Sequence, residues 1–416
     1  MTTNVRIGYS RCLGAPRCAS VFNAFYGALP ALEIQRWARA TAGLLLIATS
    51  TSLDAQGLPE RLQTRLDSLH RAGRFAGAQI GVALPDGSTI AVATGFADTA
   101  KRDVMTTRHL LLQGSVGKTY ASALALQLVF EGKFALEDPI AKYLAGEPWF
   151  SRLPNAQSIT VRQLMNHTSG LVRYEFKERF TADLTASPDR VWRPHELVSY
   201  ILDTAAPFAP GQGWDYSDTN YIVLGMIMEK VTGRTYYDLV RARVLRPAAL
   251  DATVPSDARA IRGLANGYAG PNNPFGGTDA MLVDGRMVIN PQFEWTGGGM
   301  ASTAEDLARW GKRLYEGGAF DPSMLPTLLD GVPARLGQNT KYGLGVIIRE
   351  TALGTLYGHG GFFPGYQAEM LYLPVQKAAV AFQVNSSVPG ALGRGVSPGR
   401  FALEVAGIVA EELKRR

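Results

Sequence analysis

Runs of β-branched and aromatic residues lie near both ends of this 416-residue chain, and helical periodicity fills the long stretch between them. Near the start, Ala78–Leu84 and Thr89–Thr94 flank Pro85-Asp86-Gly87, a hairpin signal. Near the end, Tyr342–Arg349, Thr355–Tyr357, Gln367–Leu373 and Ala378–Val384 read as strands. Strands so far apart satisfy their backbone groups most simply if the chain returns to complete one sheet. The expectation is an α+β fold, an antiparallel sheet flanked by helices with a mostly helical inserted subdomain. The sheet part takes about 56–134 and 286–416, and the helical part about 135–285. A chain that is 46% hydrophobic has ample material for such a core.

The helical signals are specific. Leu58, Leu62, Leu66 and Leu69 recur at helical spacing. After Ser115 an apolar helix runs to about Phe130 and stops at Gly132, with apolar residues nearly all round, the mark of a central buried helix. Ile222–Val231 stops at Gly233, Ala304–Tyr315 has Ser302 or Thr303 as a cap, and Phe401–Lys414 closes the chain.

The first 55 residues stand apart. Half of the formal net charge of +6 falls there, where Arg6, Arg11, Arg17, Arg36 and Arg39 face only Glu33 and Asp54. Arg36 and Arg39 precede the apolar stretch Ala40–Ala48 and a polar segment ending in Ala55-Gln56, the pattern of an export signal cleaved near Ala55. The apolar stretch is too short for a stable membrane span. A periplasmic or secreted catalytic domain over 56–416 is the expectation. Cys12 and Cys18 both precede the cleavage point, so the mature chain would hold no disulfide, thiol nucleophile or thiolate-bound metal. The basic charge outside the first segment forms no run, and no nucleic-acid partner is expected.

Gln113-Gly114-Ser115-Val116-Gly117-Lys118-Thr119 is the densest chemical signal. On a helix, Ser115 and Lys118 are i and i+3 and share a face. A serine at a helix N-terminus gains a backbone donor, and a buried lysine can take its proton. Gly117-Lys118-Thr119 also ends like a phosphate-binding loop, but that loop needs glycine where Leu112 stands. Gly395-Val396-Ser397-Pro398-Gly399 imitates a nucleophile elbow, yet Pro398 has no N–H for an oxyanion hole. His70, His109, His167, His195 and His359 show no metal-binding spacing, and neither a metal nor an organic cofactor is expected. His359 sits in Tyr357-Gly358-His359-Gly360-Gly361-Phe362, where glycines let backbone approach a ligand.

Together these pieces resemble the serine β-lactamase and penicillin-binding-protein superfamily, nearest its class C β-lactamase and D-alanyl-D-alanine carboxypeptidase branch. Its ordered motifs Ser-x-x-Lys, Tyr-x-Asn and Lys/His-x-Gly are similar to Ser115–Lys118, Tyr216-Ser217-Asp218 and His359-Gly360-Gly361. Leu164-Met165-Asn166-His167-Thr168-Ser169-Gly170-Leu171 and Gly297-Gly298-Gly299-Met300-Ala301-Ser302-Thr303 support the likeness, which spans roughly 60–414. The resemblance implies the β-lactamase/transpeptidase-like fold and a Ser115 acyl-enzyme. Lys118 and Tyr216 would share the general-base work, and His359 would complete the polar network. The backbone N–H groups of Ser115 and Phe362 would form the oxyanion hole, while Asp218, Gly360 and Gly361 would bind substrate. His167 reads as part of a supporting turn.

Two departures bear on the substrate. Asp218 replaces the usual Asn, so an amide donor becomes an acceptor, and its charge is expected to raise the pKa of Lys118 and shift the base role toward Tyr216. His359-Gly360-Gly361-Phe362 lacks the hydroxyls that often hold a substrate carboxylate. The expected activity is therefore that of an esterase or a D-amino-acid peptidase or carboxypeptidase on a small-molecule or peptide substrate. A class C-like β-lactamase and a non-hydrolysing penicillin- or peptidoglycan-binding protein are the alternatives. The sequence leaves the oligomeric state open.

Overall fold

The computed structural model describes residues 57–271, 273–276 and 278–415, so the expected export segment and both cysteines lie outside the described residues. Among the described residues the main sheet has nine strands: β1 Gly77–Ala83, β2 Thr89–Asp98, β3 Asp103–Val104, β4 Val332–Pro333, β5 Thr340–Tyr342, β6 Ile347–Thr351, β7 Gly354–Phe363, β8 Tyr366–Leu373 and β9 Ala378–Val384. Their order is β3-β2-β1-β9-β8-β7-β6-β5-β4, and each neighbouring pair is antiparallel. The closure between distant segments is the β1–β9 pairing, with Ile80 opposite Phe382. The chain is α+β, a large antiparallel sheet with flanking helices.

Every residue of β1 is buried because both faces of the sheet are covered. On one face, Ile80, Val82, Val380 and Phe382 pack with Leu58, Leu62, Leu66 and Leu69 of α1 (Leu58–Ala72) and with Phe401, Val405 and Val409 of the C-terminal helix. The other face carries the helix Ala304–Tyr315, whose N-cap is Thr303, accepting from Asp306 N. A Cβ at Gly81 would stand 2.0 Å from Ala304 O, so glycine sets that close approach. Gln79, on the same face, donates to Thr106 O and His109 O and accepts from Ala304 N.

Helix α2 (Lys118–Phe130) is the buried centre of the remaining core. Tyr120 stacks on Trp310 at 4.6 Å, and Trp310 Nε1 donates to Thr119 Oγ1 at 2.8 Å. Helix α3 (Asp218–Thr232) packs beside it and ends at Gly233, φ +66°. Thr253–Pro255 pairs with Met300–Ser302, which pairs in turn with Leu111–Leu112 just ahead of Ser115.

Two strand expectations change. Tyr342–Arg349 is not one strand: Gly343–Gly345 turn between β5 and β6, with Gly345 at φ +83° and no room beside it for a Cβ, which would lie 2.1 Å from Ser122 Oγ. Thr355–Tyr357 is only the first part of a ten-residue strand, β7, which runs on to Phe363. Its glycines lower strand propensity, but a Cβ at Gly358 would meet Met370 O at 2.0 Å, and one at Gly361 would meet Gln113 O at 1.8 Å.

Candidate active site

The site forms where β6 stops. β6 pairs with β7 only as far as Gly358, and beyond it the turn carrying Ser115 lies against β7. Gln113 O faces Gly361, while Gly114, at φ +50°, faces Phe362 N across a gap that would leave only 2.5 Å to a Cβ. The residues Gly114–Gly117 form a 3₁₀ turn leading into α2. The backbone of Phe362 is thus brought to the turn that presents Ser115. The bare Cα of Gly361 allows this approach.

Ser115 is half-buried, and Lys118 beneath it has no exposed surface. Lys118 Nζ lies 3.1 Å from Ser115 Oγ and 2.6 Å from Gly297 O, and it contacts Asp218 Oδ1. The Tyr216 ring centroid is 4.9 Å from Nζ and that of Tyr221 is 5.5 Å away. The structure therefore gathers Ser115, Lys118, Tyr216 and Asp218 around one amine.

Asp218 opens α3, four residues ahead of the expected start, with Ser217 as N-cap. It does not stand open to a substrate. One oxygen meets Lys118, and the other accepts from Arg173 at 2.7 Å. Burial pushes its carboxyl up, but Lys118 and then Arg173 reverse that and hold it well below the usual range. Burial lowers the pKa of Lys118 and outweighs Asp218, which raises it as expected; Arg173 adds to the lowering, and the net shift is downward.

His359 is fully buried, and both its nitrogens are engaged. Nδ1 lies 2.6 Å from Gly360 O, and Nε2 lies 2.8 Å from Tyr342 Oη. A carbonyl only accepts, so Nδ1 carries the proton and Nε2 accepts from Tyr342. Burial, then Lys118, pushes its pKa down to about 3, so the imidazole is neutral. Its ring is 6.2 Å from that of Tyr216, and its hydrogen bonds run to Tyr342 and Gly360.

The segment after Met165 fixes the start of α3. His167, at φ +64°, accepts at Nδ1 from Ser217 N and Asn220 Nδ2, and its ring lies 4.2 Å from Tyr216. Ser169 Oγ donates to Asn220 Oδ1, and Thr219 Oγ1 to Val172 O. The same loop delivers Arg173 and Glu175, which sequence reasoning missed. Burial pushes Glu175 up to about 8, with Arg173 opposing. Glu294 is also raised well above its ordinary value, by burial and then Asp218. No motif marks these residues, because the contacts form only when the loop folds over α3. Among the described residues no cluster of three or more His, Cys, Asp or Glu could hold a metal, and no helix is long and apolar enough to cross a membrane.

The chain is similar to proteins that share this architecture. It is 29% identical over 329 residues to a D-aminopeptidase of Brucella anthropi, covering 78% of this chain and 59% of that one. It is 25% identical over 336 residues to a penicillin-binding protein of Bacillus subtilis, covering 78% and 71%. The crystal structure of D-amino acid amidase from Ochrobactrum anthropi SV3 complexed with L-phenylalanine amide superposes with a TM-score of 0.71 at 27% identity, over 86% of this chain and 99% of that one. A D-stereospecific amidohydrolase from Streptomyces sp. gives 0.67 at 26% identity, over 80% and 98%. Residues 60–400, most of the chain, match the sequence profile of the Beta-lactamase family, and the protein belongs to that family as one of its serine hydrolases.

Proposed function

We propose that this protein hydrolyses amides, and related esters, of D-amino acids through a Ser115 acyl-enzyme. The observation that carries the reading is the 3.1 Å contact between a fully buried Lys118 Nζ and Ser115 Oγ. In this mechanism the neutral amine takes the Ser115 proton as Oγ bonds to the substrate carbonyl carbon. The oxyanion forms against the N–H groups of Ser115 and Phe362. The C–N bond then breaks, and the leaving amine takes a proton relayed from Lys118 past Tyr216. Water cleaves the acyl ester, returning a proton to Ser115 and releasing the acid.

The substrate class follows from the third motif. His359 presents a neutral, doubly engaged imidazole, whereas a substrate with a free carboxylate beside the scissile bond calls for a cation. An uncharged leaving group, such as ammonia or an amino-acid amide, fits better. The names of the similar D-aminopeptidase and D-amino acid amidase point the same way. The basic and apolar residues of 36–55 support a site of action outside the cytoplasm.

The test combines a fluorophosphonate with D- and L-phenylalanine amide. We expect the adduct on Ser115 by peptide mass spectrometry, faster ammonia release from the D-amide, and loss of both in Ser115→Ala. An adduct elsewhere, or preference for the L-amide, overturns the proposal. Rapid turnover of a chromogenic cephalosporin beside idle D-amides would make the β-lactamase alternative correct.

A further inference from the structure

Arg173 reaches the site from the loop following the short helix Val161–Met165. One guanidinium nitrogen lies 2.7 Å from Asp218 Oδ2, Nε lies 2.6 Å from Glu175 Oε1, and the guanidinium carbon is 5.4 Å from the Tyr216 ring centroid. Asp218 Oδ1 faces Lys118 instead. One largely enclosed carboxylate, with its side chain 14% exposed, is therefore divided between two cations. We propose that Arg173 is a positioning residue for the Ser115–Lys118 pair: by holding one half of Asp218 it leaves Lys118 free to exist as an amine and accept the Ser115 proton, although an aspartate occupies position 218. The inference rests on Lys118 being the base.

The hydrogen bonds around Lys118 permit it. Lys118 Nζ has three neighbours: Ser115 Oγ, Asp218 Oδ1 and Gly297 O. The carboxylate and the carbonyl can only accept. An amine has two N–H groups for those two acceptors and one lone pair, which is left to receive the Ser115 hydroxyl. The same three contacts also suit the charged form, which would donate to all three, so the geometry admits both protonation states and the charge balance decides between them.

The charge balance favours the amine. Arg173 stays charged at every working pH. Asp218 is ionised, and Glu175 is protonated below about 8. With Lys118 neutral, this buried group carries no net charge; with Lys118 protonated it carries +1, which burial penalises. The other titratable neighbours do not alter the count. Burial keeps Glu294 in its acid form, and keeps His167 and His359 neutral. Tyr216 and Tyr221 present ring faces to Nζ. Without Arg173, electroneutrality would require Lys118 to keep its proton.

The experiment uses the rate of fluorophosphonate labelling at Ser115 between pH 5 and 10, which reports nucleophile activation whatever the natural substrate. The proteins are wild type, Arg173→Met, Arg173→Lys and Arg173→Met/Asp218→Asn, each checked by circular dichroism at every pH. We expect Arg173→Met to move the midpoint upward by about one pH unit or more, about ten-fold slower at pH 7. Arg173→Lys should retain most of the wild-type midpoint, and the double variant should return toward it. Equal slowing at all pH values with an unmoved midpoint would mean a merely structural role and overturn the inference. So would a double variant displaced as far as Arg173→Met; if that single variant does not fold, the lysine and double variants carry the comparison. Absence of any Ser115 adduct in wild type would instead overturn the nucleophile–base reading itself.

Discussion

Tyr342 Oη donates to His359 Nε2 at 2.8 Å, across two strands that are not neighbours in the sheet. The bond holds a neutral imidazole at the sheet edge. Tyr342→Phe would leave a buried acceptor without its donor, at a cost of about 1–3 kcal/mol. Denaturant unfolding should register that loss without a change in slope. His359 has its pKa lowered on folding, so the unfolded state binds the extra proton as pH falls below 6.5. Stability tied to this group is present above 6.5 and is lost as pH drops toward about 3. His359→Gln should therefore lose less stability than wild type between pH 6.5 and 4.

Lys118→Arg keeps a cation beside Asp218 but cannot supply a lone pair, because guanidinium does not deprotonate in proteins. Turnover should fall by about 10²–10⁴-fold. Steady-state rates across pH check this, and a variant within three-fold of wild type would show that Lys118 is not the base.

Glu175 is raised on folding from 4.5 to about 8. The native state therefore binds the proton more tightly than the unfolded chain. This contribution to stability is full below 4.5 and is lost as pH rises through about 8. Glu175→Gln mimics the protonated acid, so its thermal midpoint should decline less between pH 5 and 8.5 than that of wild type. Equal declines in the two proteins would refute a protonated Glu175.

Gly361→Ala would place a Cβ 1.8 Å from Gln113 O, and the turn bearing Ser115 would have to withdraw from β7. Misplacement on the scale of 1 Å can cost about 10²-fold in rate. Expected outcomes are a fall in kcat/KM of that order and a lower melting temperature. Unchanged kinetics would show that this approach does not position the nucleophile.

The amphipathic helix Leu58–Ala72, the strand Ala378–Val384, the Thr89–Thr94 part of the strand that runs to Asp98, and the buried helix after Ser115 were legible because side-chain period and turn residues report local burial. The glycine-bearing strand Gly354–Phe363 was legible only in part. Its glycines weaken propensity, and their reason for being there, the carbonyls of Gln113 and Met370, lies far away in sequence. The break at Gly345 was hidden likewise, since the space it yields is filled by Ser122 and Tyr221.

By itself the sequence determined the α+β class and the pairing of Ser115 with Lys118, because a separation of three residues on a helix places two side chains on one face. It also marked Tyr216, Asp218 and His359 as a set through ordered motifs. Tertiary structure alone decided how those residues are charged and joined. Arg173 divides Asp218 with Lys118, and Tyr342 and Gly360 take both nitrogens of His359. Burial and electrostatic compensation depend on every group within a few ångströms, and those groups are brought together from loops and strands that no local pattern connects.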